Sequence, residues 1–163
     1  MPAQPIPPRS REPDRDPKRG TADLPAVGYT EGVFDLFHIG HLDLLQTAAA
    51  RCQRLVVGVL DDELAQAVAG LRPYVPADER RAVVEAVRGV AAVIAVTDDD
   101  LATVARHTGF DVVFRHGGPL AATPPRLSTL TGYAAQDLPP ARRTSSTVLQ
   151  TALTRHLAAT AEL

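Results

Sequence analysis

The sequence predicts a doubly wound α/β domain, and three observations carry that expectation. Valine-rich apolar runs, above all Leu55-Val56-Val57-Gly58-Val59-Leu60, have the composition of strands buried on both faces. Segments with helical spacing separate them, and Gly70 and Gly109 stand where two of those helices should stop. Strands alternating with helical crossovers build a parallel sheet covered on both sides. At 163 residues the chain supports one domain of ordinary size.

Taken in order, residues 1–24 stand apart from the rest. Pro2, Pro5, Pro7, Pro8, Pro13 and Pro17 alternate with Arg9, Arg11, Asp14, Arg15, Asp16 and Lys18. So few apolar residues do not offset ordering entropy, so a disordered tail is expected before a domain spanning 25–163. Ala26–Tyr29 is a short strand candidate. Ile39, Leu42, Leu45 and Ala49 recur at helical spacing and predict a helix over roughly 39–51. The strand Leu55–Leu60 follows, then a short helix Asp61–Ala69 closed by Gly70. Pro73 and Pro76 make 71–76 a loop, and Ala77–Arg88 is helical with Asp78 and Glu79 in its first turn. Ala91–Val96 reads as another buried strand, Leu101–Thr108 as a helix and Val112-Val113-Phe114 as a further strand. Five prolines make 117–141 irregular, and a last helix carries an apolar stripe of Val148, Leu149, Ala152, Leu153 and Leu157. There is no internal repeat.

A formal net charge of −2 gives no global basic field for nucleic acid or an anionic membrane. No apolar run approaches the roughly 20 residues of a membrane span. Met1 is followed by Pro, Gln and Arg residues rather than an apolar stretch, so no secretory signal is expected. The single cysteine, Cys52, fits a buried or half-buried thiol of a reducing, cytoplasmic location.

Parallel α/β sheets bind ligands at the carboxyl ends of their strands, which directs attention to residues 30–38 and 115–120. The first of these reads Thr30-Glu31-Gly32-Val33-Phe34-Asp35-Leu36-Phe37-His38-Ile39-Gly40-His41. Two histidines three apart are weak evidence alone, since one could cap a helix and the other face solvent. Here they stand where a strand hands over to a helix, whose N–H groups and positive dipole end attract phosphate. Gly32 allows a tight turn, and Gly40 removes a side chain where a phosphate would approach. Two imidazoles on one turn can donate to the same polyphosphate.

The segment resembles the signature of the cytidylyltransferase family, which activates glycerol 3-phosphate, phosphocholine and phosphoethanolamine. Its pattern of glycine, one residue, Phe-Asp, two residues and His-x-Gly-His is matched by Gly32, Phe34, Asp35, His38, Gly40 and His41. The likeness extends through Leu42–Leu45, Leu55–Glu63 and Glu79-Arg80, and reappears at Arg143-Thr144-Ser145-Ser146-Thr147. It implies that CMP passes from CTP to a small phosphorylated or phosphonylated alcohol, with Mg²⁺ accompanying the nucleotide. Catalysis then rests on positioning and charge stabilisation. By the same resemblance His38 and His41 contact the triphosphate, and Asp35 orders the loop near the reacting centre. Arg80 neutralises phosphate charge, its bland reading being a solvated helix face. Gly32, Val33, Phe34 and Gly40 form the nucleotide-binding loop. Ser145, Ser146 and Thr147 bind phosphate from the other side, with Arg143 and Thr144 beside them; a plain N-cap is the bland reading of the serines. Family members are commonly dimers, so a homodimer is an open option.

Two departures stand out. No lysine occurs in residues 61–79, where relatives often place one on the triphosphate, and Arg72 is the nearest cation. The Gly-Asp-Asp-Trp of bacterial glycerol-3-phosphate enzymes is replaced by Arg115-His116-Gly117-Gly118. Two other readings stay open: adenylyl transfer from ATP, and a catalytically weak nucleotide-binding relative. Class I aminoacyl-tRNA synthetases share the letters His-Ile-Gly-His, but this chain has no room for a tRNA-binding domain.

Overall fold

The computed structural model describes residues 23–70, 72–97, 101–116, 132–139 and 146–161, with the side chains of 69, 116, 146–147 and 157–161 left aside. Along the chain run β1 (Val27–Gly32), α1 (Ile39–Ala49), β2 (Arg54–Leu60), α2 (Asp62–Ala69), α3 (Ala77–Glu85), β3 (Val90–Val96), α4 (Leu101–Thr108), β4 (Val112–His116), β5 (Ala134–Leu138) and α5 (Ser146–Ala161). The five strands form one sheet in the order β3-β2-β1-β4-β5, every neighbouring pair parallel.

Right-handed crossovers explain the layering. The chain steps from β1 to β2 to β3 in one direction, then jumps back across β1 to β4 and β5. Helices α1 and α3 therefore cover one face, where Leu44, Leu45, Ala48 and Val84 pack on Leu55, Val57, Val59 and Phe114. Helix α4 covers the other, with Leu101 and Ala105 against Tyr29, Val56, Phe110 and Val113. Gly70 closes α2 at φ 75° as expected, and Asp61, expected inside the helix, is instead its N-cap through its carboxylate. Cys52 is buried against Ala48, to whose carbonyl its thiol donates. No helix among the described residues is long and apolar enough to cross a membrane.

Four expectations need correction. Ala134–Leu138, inside the stretch expected to be irregular, is a strand, paired with all five residues of β4. Its residues are exposed except Leu138, so an edge strand of Ala-Ala-Gln-Asp-Leu lacks the apolar alternation that marks strands. β3 is also an edge, and only Val96 in it is buried, so it is not a strand buried on both faces. Helix α3 stops at Glu85, and a turn to Gly89 at φ 97° precedes β3. In α5 the expected apolar stripe is not core: Val148, Ala152 and Leu153 are exposed and Leu149 is half-buried.

Candidate active site

The order in which strands are added to the sheet reverses between β1 and β4, and their pairing is short there. β1 keeps six residue pairs with β2 but only Gly28↔Val112 and Tyr29↔Val113 with β4. Beyond them the Thr30 hydroxyl donates to the Phe114 carbonyl at 3.0 Å, closing the gap from the side. The opening this leaves at the strands' carboxyl ends is the place where such sheets take ligands.

The loop from Gly32 to His38 borders this opening. Its turn is made not by glycine but by Phe34 and Leu36, at φ 55° and 47°. Left-handed backbone at residues with bulky side chains costs on the order of 1 kcal/mol each and persists only where the surroundings impose it. Phe34 is buried, and a Cβ on Gly32 would lie 3.2 Å from its ring, so the glycine makes room for the phenyl group. The fully buried Arg80 pins the loop from beneath. Its Nη1 donates to Val33 O and to Leu60 O (2.8 Å), its Nε to Val75 O (2.8 Å) and its Nη2 to Asp62 (2.7 Å). One guanidinium thus gathers the ends of β1 and β2, the start of α2 and the segment before α3. Asp35 closes the arrangement from above. Its Oδ1 accepts from Val75 N (3.0 Å), and its Oδ2 accepts from Tyr74 N (3.1 Å) and Gln150 Nε2 (3.2 Å).

His38 is the N-cap of α1: its backbone is extended, and its Nδ1 accepts from Gly40 N at 3.0 Å. That bond settles the tautomer, since a neutral ring accepting at Nδ1 carries its proton on Nε2 as a donor. Capping and anion binding are therefore compatible at this residue. The His41 ring stacks on it with centroids 3.9 Å apart, and packs edge-on to Phe34 at 5.3 Å. Both imidazoles thus stand together over the first turn of α1, where backbone N–H groups and the helix dipole favour negative charge.

Arg72 is exposed two residues before Tyr74, which places it beside this loop. Ser146 and Thr147 open α5, one turn before Gln150; Arg143, Thr144 and Ser145 lie outside the described residues. Of the altered segment, Arg115 and His116 belong to β4 itself, and Arg115 makes a two-pronged ion pair with Asp137 of β5 at 2.9 and 3.1 Å. Gly117 and Gly118 are outside the described residues. Tyr74, Val75 and Gln150 were not singled out from sequence. Their link to Asp35 spans 39, 40 and 115 residues, and nothing local to them announces it. Among the described residues no group of three or more His, Cys, Asp or Glu is arranged to hold a metal ion.

The sequence model of a family described as cytidylyltransferase-like matches residues 29–135. The bifunctional protein HldE of Gluconacetobacter diazotrophicus is 42% identical over 74 residues, which are 45% of this chain and 15% of that protein. HldE of Caulobacter vibrioides is 33% identical over 110 residues, covering 56% of this chain and 23% of its own length. The chain therefore spans a small part of the curated relatives it matches. Among solved structures, a lipopolysaccharide core biosynthesis protein from Thermoplasma volcanium superposes with a TM-score of 0.58 at 20% identity, over 74% of this chain and 99% of that one. Pantothenate synthetase from Thermus thermophilus gives 0.51 at 16% identity, over 76% of this chain and 59% of that one. At such identities the likeness concerns the fold, an all-parallel, Rossmann-like sheet.

Proposed function

We infer the reaction from one premise: the chain belongs to the cytidylyltransferase-like family and is a nucleotidyltransferase. It transfers CMP from CTP to a small phosphorylated or phosphonylated alcohol. An acceptor phosphate oxygen attacks the α-phosphorus in line; that P–O bond forms, the bond to the β-phosphate's bridging oxygen breaks, and pyrophosphate leaves. The observation that carries this reading is the stacked His38–His41 pair at the start of α1, at the edge of the β1–β4 opening.

His38 Nε2–H and the His41 ring stabilise charge on the transferring and leaving phosphates, in the manner of preorganised donors. Asp35 holds the Tyr74–Val75 segment on the loop, which keeps Arg72 near the triphosphate in the lysine's stead. Arg80 fixes Val33 from behind the loop, its own charge being paired with Asp62. Arg143, Thr144, Ser145, Ser146 and Thr147 meet the phosphates from the α5 side. Mg²⁺ belongs with the triphosphate, as part of the substrate. The described carboxylates form no cage for it, and phosphate oxygens are its ordinary ligands in such complexes.

Adenylyl transfer from ATP is the second reading. One observation favours it: Arg115, tied to Asp137, stands where the glycerol-3-phosphate enzymes have their acidic loop. Pyrophosphate release, measured with CTP and ATP against a panel of phosphorylated alcohols and sugar phosphates, separates the two. Absence of release with every pair, together with no nucleotide-induced rise in Tm, would overturn both.

A further inference from the structure

Asp35 belongs to the motif loop, and it is also a point where α5 is fastened. Gln150 Nε2 donates to Asp35 Oδ2 at 3.2 Å across 115 residues of sequence. One turn further along the same helix face, Thr154 Oγ1 lies 3.4 Å from the Tyr74 hydroxyl. Thr154 donates its own proton to the Gln150 carbonyl at 2.9 Å, so Tyr74 is the donor to Thr154. The face of α5 carrying 150 and 154 thus lies along Asp35 and the Tyr74–Val75 segment. Apolar packing adds little, because Val148 and residues 151–156 are exposed.

We propose that Gln150 is a positioning residue: by holding Asp35 it seats α5 so that the helix start, one turn or roughly 6 Å of rise before it, faces the phosphates bound at α1. The role rests on the transferase reading above, and it assigns to the Gln150–Asp35 contact the link between α5 and the motif loop. A helix whose described side chains bury few apolar groups opens readily, so the loss of one of its hydrogen bonds shifts its seating.

Two substitutions in the full chain test it. Gln150→Leu keeps the volume and loses the donor; Gln150→Lys supplies a donor to the same carboxylate. Hydrogen exchange without nucleotide should rise about tenfold across α5 in the leucine variant, and stay near the parent's in the lysine variant. The nucleotide KM should rise about tenfold for leucine, with kcat within about twofold and Tm unchanged, and lysine should recover most of the loss. Unchanged exchange in Gln150→Leu overturns the tether. Faster exchange with an unaltered KM overturns the positioning role. Failure of the transferase reading would show separately, as a parent that releases no pyrophosphate while its α5 protection still depends on Gln150.

Discussion

Helices α1 and α5 come together at the loop from Gly32 to His38, yet they are held there by different forces. α1 buries Gly40, Leu44, Leu45 and Ala48 against the sheet, and its first residue follows a loop pinned by Arg80. α5 shows solvent most of its described side chains and reaches the site through Gln150 and Thr154. Burial fixes one half of the site rigidly, at the expense of any independence between fold and loop. Hydrogen bonding fixes the other half weakly, so its position can respond to what is bound. Damage to the first region should therefore register in stability or in the chemical step, and damage to the second in nucleotide affinity.

The sharpest test of the rigid half is its histidines. His38→Ala or His41→Ala should lower kcat by about two to four orders of magnitude, the loss expected when donors aimed at developing charge are removed. Stability should fall by no more than about 1 kcal/mol, the value of an N-cap. Full activity in either variant would remove that ring from the reaction. Next in size, Leu45→Ala should cost about 3 kcal/mol in urea unfolding, because Leu45 is fully buried. Leu153→Ala in α5 should cost less than about 0.5 kcal/mol, since Leu153 is 38% exposed. Equal losses would show that α5 is as much part of the core as α1.

Arg72 bears on the responsive half. Arg72→Ala should weaken nucleotide binding by about ten- to a hundredfold, with Arg72→Lys recovering part of it, as for a charge-assisted phosphate contact. A CTP and ATP titration that finds both variants like the parent would leave the missing lysine without a substitute here. The smallest effect concerns Cys52. Burial pushes its thiol above the ordinary 9.0, against opposing backbone hydrogen bonds at Gly28 and Arg54. A raised folded-state value favours the protonated thiol, so its contribution is complete at neutral pH and is lost as pH climbs above about 9. Unfolding curves at pH 7 and pH 10 should show a loss in the parent that Cys52→Ala lacks.

What could be read from sequence divides along the same line. β2 was evident because Leu55–Leu60 form an unbroken apolar run, as in a strand buried on both faces, and α2 and α4 because a glycine stands at each end point. The His-x-Gly-His segment was evident because its spacing is local. β5 was hidden, since pairing at an edge requires no apolar side chains, and its sequence offers only backbone to β4. Arg80 could be placed near the site, but its use as a four-way clamp depends on carbonyls at the ends of two strands. Gln150 was invisible: a glutamine on a helix is ordinary until Asp35 is brought beside it. Phe34 and Leu36 carried no sign of left-handed backbone, because the neighbours that impose it come from other elements.

The parting of β1 from β4 also bears on how the chain acquires its structure. β1, α1, β2, α2, α3 and β3 are successive in sequence, whereas β1 meets β4 through a contact spanning 84 residues and Asp35 meets Gln150 across 115. Contacts between distant segments form late, because loop closure must precede any gain from them. The expected order is an early β1–α1–β2–β3 unit, then α4 with β4 and β5, and α5 last; during synthesis, the histidines of α1 emerge long before the residue that seats Asp35. Pulse-labelled hydrogen exchange during refolding should accordingly protect the amides of β2 before those of α5, and catalytic competence should appear with the later phase.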